Sequence, residues 1–249
     1  MYTIKPIFHG VFENFEKTIF TYRTDAGMKI TVPLVSYLVQ GEGCTFIVDS
    51  GPPSPDLAKT RGHRPVLQAT YLQDELHRLG VEPSDIDFVV LTHMHWDHSY
   101  NLELFPGVPV YVQKRELEYA VNPVPCDAAN YCFAVPDETA APSWFPAFRR
   151  FRVIDGEETL RPGVKLVPLP GHTCGLQGVL VDTEEGKYMI TSDAYPLYEN
   201  FEKGCPAGIC VNMIEWYQSH EKVKRMADFI LPGHDMAVLN RKVYGVVNG

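Results

Sequence analysis

His93, His95, Asp97 and His98 put three imidazoles and a carboxylate within six residues. Imidazole nitrogen and carboxylate oxygen are the donor types that hold zinc and similar divalent ions. A turn at the end of a strand aims alternate side chains at different points, so His93 and His95 can serve one ion while Asp97 and His98 serve a second close by. A lone histidine is more often a surface or core residue than a ligand, but four ligand-type residues at this spacing reverse that expectation. Three more segments offer ligand types in a similar setting. His172 lies in Pro170-Gly171-His172-Thr173, Asp193 follows Thr191-Ser192, and His234 lies in Pro232-Gly233-His234-Asp235. Each alone is a weak signal, because Gly-His turns are common. Together they complete the seven side chains that a two-metal site needs. Such a site performs hydrolysis: two ions ~3.5–4 Å apart share a water, lower its pKa towards ~7 and set hydroxide against a carbonyl or phosphoryl centre.

Each of these segments needs a strand to deliver it. Phe88-Val89-Val90-Leu91 reads as a short buried strand before the histidine-rich turn, and Val164–Leu169, Tyr188–Thr191 and a strand ending at Leu231 precede the other three. Ile30–Val39 and Thr45–Val48 read as strands joined by Gly41-Glu42-Gly43, and Asp49-Ser50-Gly51-Pro52 breaks the second into a loop. Val108–Val112 and Gly178–Val181 are further strands. Apolar periodicity predicts helices over Pro65–Gly80, Gln113–Val121 and Asn212–Phe229. Helices interleaved with strands in two similar halves suggest two sheets sandwiched between helices. The stretch 122–148 differs in kind, with five prolines among Tyr131, Phe133, Trp144, Phe145 and Phe148. It reads as a long loop that covers core or walls an active site, and its apolar character fits a contact with a second copy equally well.

The bulk composition narrows the function classes. With 249 residues, 45% hydrophobic and 21% charged, the chain can bury an adequate core without disulfides or structural metal. A net charge of −9 repels a phosphate backbone, and Lys222, Lys224 and Arg225 read as the solvated face of a helix, so no nucleic-acid partner is expected. No basic stretch followed by an apolar run opens the sequence, and no run approaches the ~20 apolar residues of a membrane span. None of the six cysteines falls in a Cys-x-x-Cys pair. Reduced thiols in a cytoplasmic protein are therefore expected, with Cys174 a buried free thiol. His9, His63, His77 and His220 have no ligand-type company in sequence and read as ordinary surface or core residues.

His93-x-His95-x-Asp97-His98 with His172, Asp193 and His234 resembles the full signature of the metallo-β-lactamase superfamily, over nearly the whole chain. That resemblance implies an α/β fold, a four-layer αββα sandwich formed by residues 1–249 as one domain, with the metals at one edge of its sheets. It implies that His93, His95 and His172 bind the first ion, that Asp97, His98 and His234 bind the second, and that Asp193 bridges both. Asp49 matches a further acid that supports the ligands from behind. Two divalent ions per chain are expected, zinc first, with iron, manganese or cobalt accepted by the same donors.

Within the superfamily the chain is most similar to the N-acyl homoserine lactonases that quench bacterial quorum signals. The likeness extends to Thr31–Leu38, to Val112–Tyr119, and to Asp193-Ala194 followed by Glu199-Asn200-Phe201. It implies that a small lactone is opened, with Asp97 as a catalytic ligand. Those enzymes carry a tyrosine three residues after the bridging aspartate, where this chain has Pro196. Tyr195, or else Tyr198, is expected to replace it. Trp96, Tyr198, Phe133 and Trp144 are the expected substrate contacts. The alternative is hydrolysis of another ester, cyclic amide, thioester or phosphoester at the same metal site.

Overall fold

Alternation of side chains along the strands decides how the layers stack. The computed structural model describes residues 1–131 and 141–247. Strands β1 (Tyr2–Glu16), β2 (Lys29–Gly41), β3 (Cys44–Val48), β4 (Phe88–Val90), β5 (Val110–Gln113) and β6 (Phe151–Ile154) form one sheet in that order. Strands β7 (Glu158–Arg161), β8 (Val164–Pro168), β9 (Gln177–Thr183), β10 (Gly186–Ser192) and β11 (Phe229–Pro232) form the second, in the order β11-β10-β9-β8-β7. Val35, Tyr37 and Val39 of β2, Phe46 and Val48 of β3, Val179 and Val181 of β9, and Tyr188 and Ile190 of β10 meet in one buried cluster between the sheets. The residues between them point the other way. Leu38, Ile47 and Val89 pack under helices α2 (Leu72–Arg78) and α3 (Lys114–Val121), and Leu180 and Met189 pack under α5 (Met213–Met226). The order helix, sheet, sheet, helix follows, as the resemblance implied. Two short helices, α1 (Pro55–Thr60) and α4 (Tyr198–Lys203), sit in the connections.

Strands β3, β4, β5 and β6 pair in parallel, as do β10 and β11. Parallel strands share one carboxyl edge, and in such sheets ligands bind in the crevice beyond that edge. The turns carrying Asp49, His93–His98, Asp193 and His234 leave β3, β4, β10 and β11 at that edge, and β8, which runs parallel to β10, delivers His172 beside them.

Several sequence expectations change. The 15-residue β1, the longest strand, carries Pro6, Gly10 and Asn14, which read as breakers. It tolerates them because it lies at a sheet edge and breaks register against β2 at Phe8/Gly10 and Phe12/Phe15. The helix expected over Pro65–Gly80 exists only as α2; Leu67 instead makes a bridge to Val11 of β1. Strands β6 and β7 and helices α1 and α4 carry too few residues for a periodic signal. Phe133 falls outside the described residues. Among the described residues, no helix is long and apolar enough to cross a membrane.

Candidate metal centre

Asp49 organises the site from behind. It follows β3 with φ of 64°, a left-handed conformation that an aspartate tolerates better than most residues. From there its carboxylate accepts hydrogen bonds from Thr92 N at 2.7 Å, from Thr92 Oγ1 and from Ser192 Oγ at 3.2 Å, and holds His98 Nδ1 at 2.9 Å. The histidine turn is therefore tied to both sheets. Ser192 also has positive φ, 46°, at a register shift between β10 and β11. Bulges next to sites re-aim side chains, and this one turns Asp193 towards the histidines. A side chain at Gly233 would stand 2.2 Å from Asp193 Oδ1, so only glycine lets the His234 turn approach.

The seven expected ligands converge. Ligand atoms of His93, His95 and His172 lie within 4.8 Å of one another, as do those of Asp97, His98 and His234, and those of His93, His98 and Asp193. Asp193 Oδ2 is 3.6 Å from His172 Nε2 and 3.2 Å from His234 Nε2, while Oδ1 is 3.5 Å from His98 Nε2. One carboxylate thus touches both triads. His95 Nδ1 stands 3.2 Å from His172 Nε2, and Asp97 Oδ2 lies 3.8 Å from His98 Nε2 and 3.7 Å from His234 Nε2. Donors bound ~2.05 Å from a tetrahedral ion sit ~3.3 Å apart, so these spacings are those of a coordination shell rather than of a hydrogen-bonded net.

Hydrogen bonding on the far side of each ring supports the same reading. His172 Nδ1 donates to the Ile209 carbonyl at 2.8 Å and His234 Nδ1 to the Pro33 carbonyl at 2.9 Å, which leaves the Nε2 lone pair of each facing inward. Nε2 of His93, His95 and His98 and Oδ1 of Asp193 are buried with no protein partner. Those of His93, His98 and Asp193, residues whose ligand atoms converge within 4.8 Å, are costly unless a cation satisfies them. The donor set fits two divalent ions.

The site combines neutral imidazoles with an ionised carboxylate, and His98 gives up a proton when a cation binds. Burial pushes the pKa values of His93 and His95 well down, keeping them neutral. Burial also opposes charge on His98, but the carboxylates of Asp193, Asp97 and Asp49 outweigh it and push its pKa up to about 10. Burial resists the charge on Asp193 as well, yet His234 and His98 hold its carboxyl well below the usual range.

A cavity of about 220 Å³ opens over these ligands. His95, Asp97, His172, Asp193 and His234 form its floor, and Phe12, Phe15, Ile19, Phe20 and Trp96 form an apolar wall. Trp96, an expected substrate contact, lines this cavity, whereas the tyrosine expected to stand in for the one lost at Pro196 does not. The Tyr195 hydroxyl lies 3.1 Å from His220 Nδ1, and its ring packs on Trp216 and Phe201, away from the cavity. Tyr198 also departs from expectation, packing into the inter-sheet core with its backbone N–H on Asp235. The reason is local. The turn after Asp193 directs Pro196 at the cavity, and its neighbours point into the core on either side. Trp144 is buried in the cluster under α3 and lines a separate apolar groove with Val121, Phe145, Phe148 and Val153, so it does not reach the ligands.

Two functional candidates escaped the sequence. Glu116 on α3 is fully buried and accepts from Met94 N at 2.9 Å, Tyr131 Oη at 3.0 Å, Thr173 Oγ1 at 2.6 Å and Gly175 N at 3.1 Å. It joins the His93–His98 turn to the His172 turn. A Cβ on Gly175 would fall 2.1 Å from the Glu116 backbone nitrogen, so the contact demands glycine there. Only an acid on an otherwise apolar helix face marks it in sequence. His63 is the second candidate: it lines the cavity and stacks on Trp96. Nothing in its sequence neighbourhood marks it.

Comparison with known proteins agrees with this geometry. A family model described as the metallo-beta-lactamase superfamily matches residues 32–234. N-acyl homoserine lactonase AiiA of Bacillus thuringiensis subsp. kurstaki is 26% identical over 230 residues, 84% of each chain. An N-acyl homoserine lactone hydrolase solved with N-hexanoyl-L-homoserine at its catalytic metal centre superposes with a TM-score of 0.78 at 23% identity, covering 96% of this chain and 95% of that one. AidC, a dizinc quorum-quenching lactonase, superposes with a TM-score of 0.68 at 18% identity, covering 94% and 88%.

Proposed function

We propose, for a chain that belongs to the metallo-beta-lactamase superfamily, a metal-dependent hydrolase that opens a lactone ring, with N-acyl homoserine lactones the leading substrates. The observation that carries this reading is seven converging ligand side chains, five of them on the floor of a small cavity with an apolar wall. Curated relatives that match over 84% of the chain are N-acyl homoserine lactonases. His93, His95 and His172 would hold one ion and Asp97, His98 and His234 the other, with Asp193 shared. Zinc is the first choice, since the donors are imidazole and carboxylate and AidC is a dizinc enzyme. Bound there, the pair supplies Lewis acidity towards a carbonyl oxygen and a water acidified to near neutral pH.

The chain's own residues do the rest. Asp49, Ile209 and Pro33 fix the ring orientations of His98, His172 and His234. The wall of Phe12, Phe15 and Phe20 takes an aliphatic chain and excludes water. Hydrolysis adds water across the ring ester. The acyl–oxygen bond breaks, the carbonyl carbon becomes a carboxylate and the ring oxygen leaves with a proton. Asp97, a ligand that also lines the cavity, would carry that proton to the ring oxygen. Among the described residues no tyrosine lines the cavity, and Pro196 stands there instead.

We further read the chain as one domain, because a single buried cluster draws on both sheets. The described cysteines are all free, which suits the cytoplasm. The exposed apolar groove of Val121, Phe145, Phe148 and Val153 is where a second copy would pack. The test of function is a pH-indicator screen of metal-loaded protein on acyl-homoserine lactones, thioesters and phosphodiesters. Acid release from the lactones, abolished by chelation, is expected. Turnover of thioesters or phosphodiesters alone would overturn the reading.

A further inference from the structure

The aromatic wall of the cavity stands on two different supports. Phe12 and Phe15 lie on β1, where pairing opposite Val32 and Ile30 of β2 holds them. Ile19 and Phe20 lie on the turn that follows, outside both sheets. Phe20 joins the wall to the ligands: its ring meets Phe15 edge-on with centroids 5.0 Å apart, and His234 edge-on at 5.5 Å. Backbone bonds seat the turn, with Gly208 N donating to the Ile19 carbonyl at 3.0 Å and Tyr22 N to the Pro206 carbonyl at 2.9 Å. Two side chains complete the docking. Asn200 Nδ2 donates to the Phe20 carbonyl at 2.8 Å. Lys17, its side chain 10% exposed, places Nζ 2.6 Å from Asp25 Oδ2 and 2.9 Å from Glu199 Oε2.

Asn200 is fully buried, and its amide is committed to three different segments. Oδ1 accepts from Leu197 N at 2.8 Å, which caps α4, while Nδ2 donates to the Phe20 carbonyl and to the Cys205 carbonyl at 2.9 Å. Helix capping therefore accounts for one bond of the three. A buried amide is costly unless its groups are paired, and its planar geometry fixes the three partners relative to one another. Leu197 follows Pro196, which lines the cavity together with Asp193. One side chain thus ties the turn after the shared carboxylate to the Phe20 part of the wall, and the Lys17 pair ends on the adjacent residue of the same helix. We propose that Asn200 and Lys17 are positioning residues that clasp the Phe20 turn to α4 and so set how much a longer acyl chain gains over a shorter one. This rests on the lactonase reading and deepens it.

The experiment measures kcat/KM on N-butanoyl and N-octanoyl homoserine lactone, which share ring and amide and differ only in chain length. It uses the two-metal enzyme and its Asn200→Ala, Lys17→Met and Phe20→Ala variants. A loosened Phe20 loses contact with about two methylenes, so the octanoyl-to-butanoyl ratio should fall about tenfold in Asn200→Ala and about threefold in Lys17→Met, mainly through KM. In the Phe20→Ala background, Asn200→Ala should lower the ratio no further, because the clasp acts through that ring. Lys17→Met carries the test if Asn200→Ala does not fold, since it leaves Glu199 paired with Lys203 and Asp25 42% exposed to solvent. Loss by the same factor on both lactones, an unchanged ratio in either variant, or a second fall in the Phe20→Ala background overturns the clasp and leaves the lactonase reading intact. Wild-type enzyme that opens neither lactone overturns the lactonase reading, and this inference with it.

Discussion

Replacing Glu116 with glutamine tests whether one buried carboxylate holds both histidine turns in place. Oε1 of Glu116 accepts from Met94 N and Tyr131 Oη, and Oε2 from Thr173 Oγ1 and Gly175 N. Glutamine offers one carbonyl oxygen, so one pair of donors meets an amide nitrogen. The hydroxyl of that pair can rotate and accept, but the backbone N–H cannot, and it is left buried and unpaired. Losing a hydrogen bond to a charged group costs ~1.5–3 kcal/mol and orphaning a donor ~1–3 kcal/mol. Against this, burial pushes the Glu116 pKa up, a cost of ionisation that the amide escapes. The net expectation is a loss of about 2 kcal/mol, read as a urea midpoint lowered by about 1 M. Tyr131, held by Glu116, packs edge-on against His95 at 4.8 Å, so the ligands should loosen too. Competition with a chelator should then show metal affinity weaker by about tenfold. A Glu116→Gln protein with the wild-type midpoint and metal affinity would refute the anchoring role.

Asp49→Asn keeps an acceptor for His98 and a residue type that tolerates positive φ, but removes the charge that fixes the imidazole; metal affinity should fall ~10–100-fold in a chelator competition, and an unchanged affinity would be inconsistent with that role. Tyr195→Phe should leave kcat within about twofold and cost ~1 kcal/mol in thermal stability, because its hydroxyl serves His220 rather than the cavity; a tenfold drop in kcat would restore a catalytic tyrosine. His9 pairs with Ser36, and burial, with a smaller contribution from His98, pushes its pKa down to about 3. The unfolded chain therefore takes up this proton first on acidification. Stability from the neutral ring is complete above pH ~6.5 and is lost as pH falls towards 3, at up to ~1.4 kcal/mol per unit. Metal-free His9→Gln should show a stability–pH curve flatter by that amount between pH 6 and 4, and parallel curves would contradict the assignment.

The ligands were legible because metal chemistry needs particular side chains in number, and four of the seven sit in a single turn. The strands of the buried core were legible because burial between two sheets leaves long runs of Val, Ile and Leu. β1 was not, since an edge strand with register breaks accepts proline and glycine. Glu116 and His63 reach their partners only through the tertiary fold: Glu116 meets Gly175 from 59 residues away, and His63 meets Trp96 across the loop after α1. Tyr195 misled for the opposite reason. Its sequence position beside Pro196 places it near the ligands, but adjacent residues in an extended turn face opposite ways, and Pro196 faces the cavity.

The central claim, a two-metal lactonase, is tested most directly by titrating metal-free protein with zinc while following ring opening of N-hexanoyl homoserine lactone. Activity that rises to a maximum at two equivalents per chain, and is absent when His172 or His234 is replaced, is the result the site predicts. A maximum at one equivalent, or two ions bound without ring opening, would contradict it.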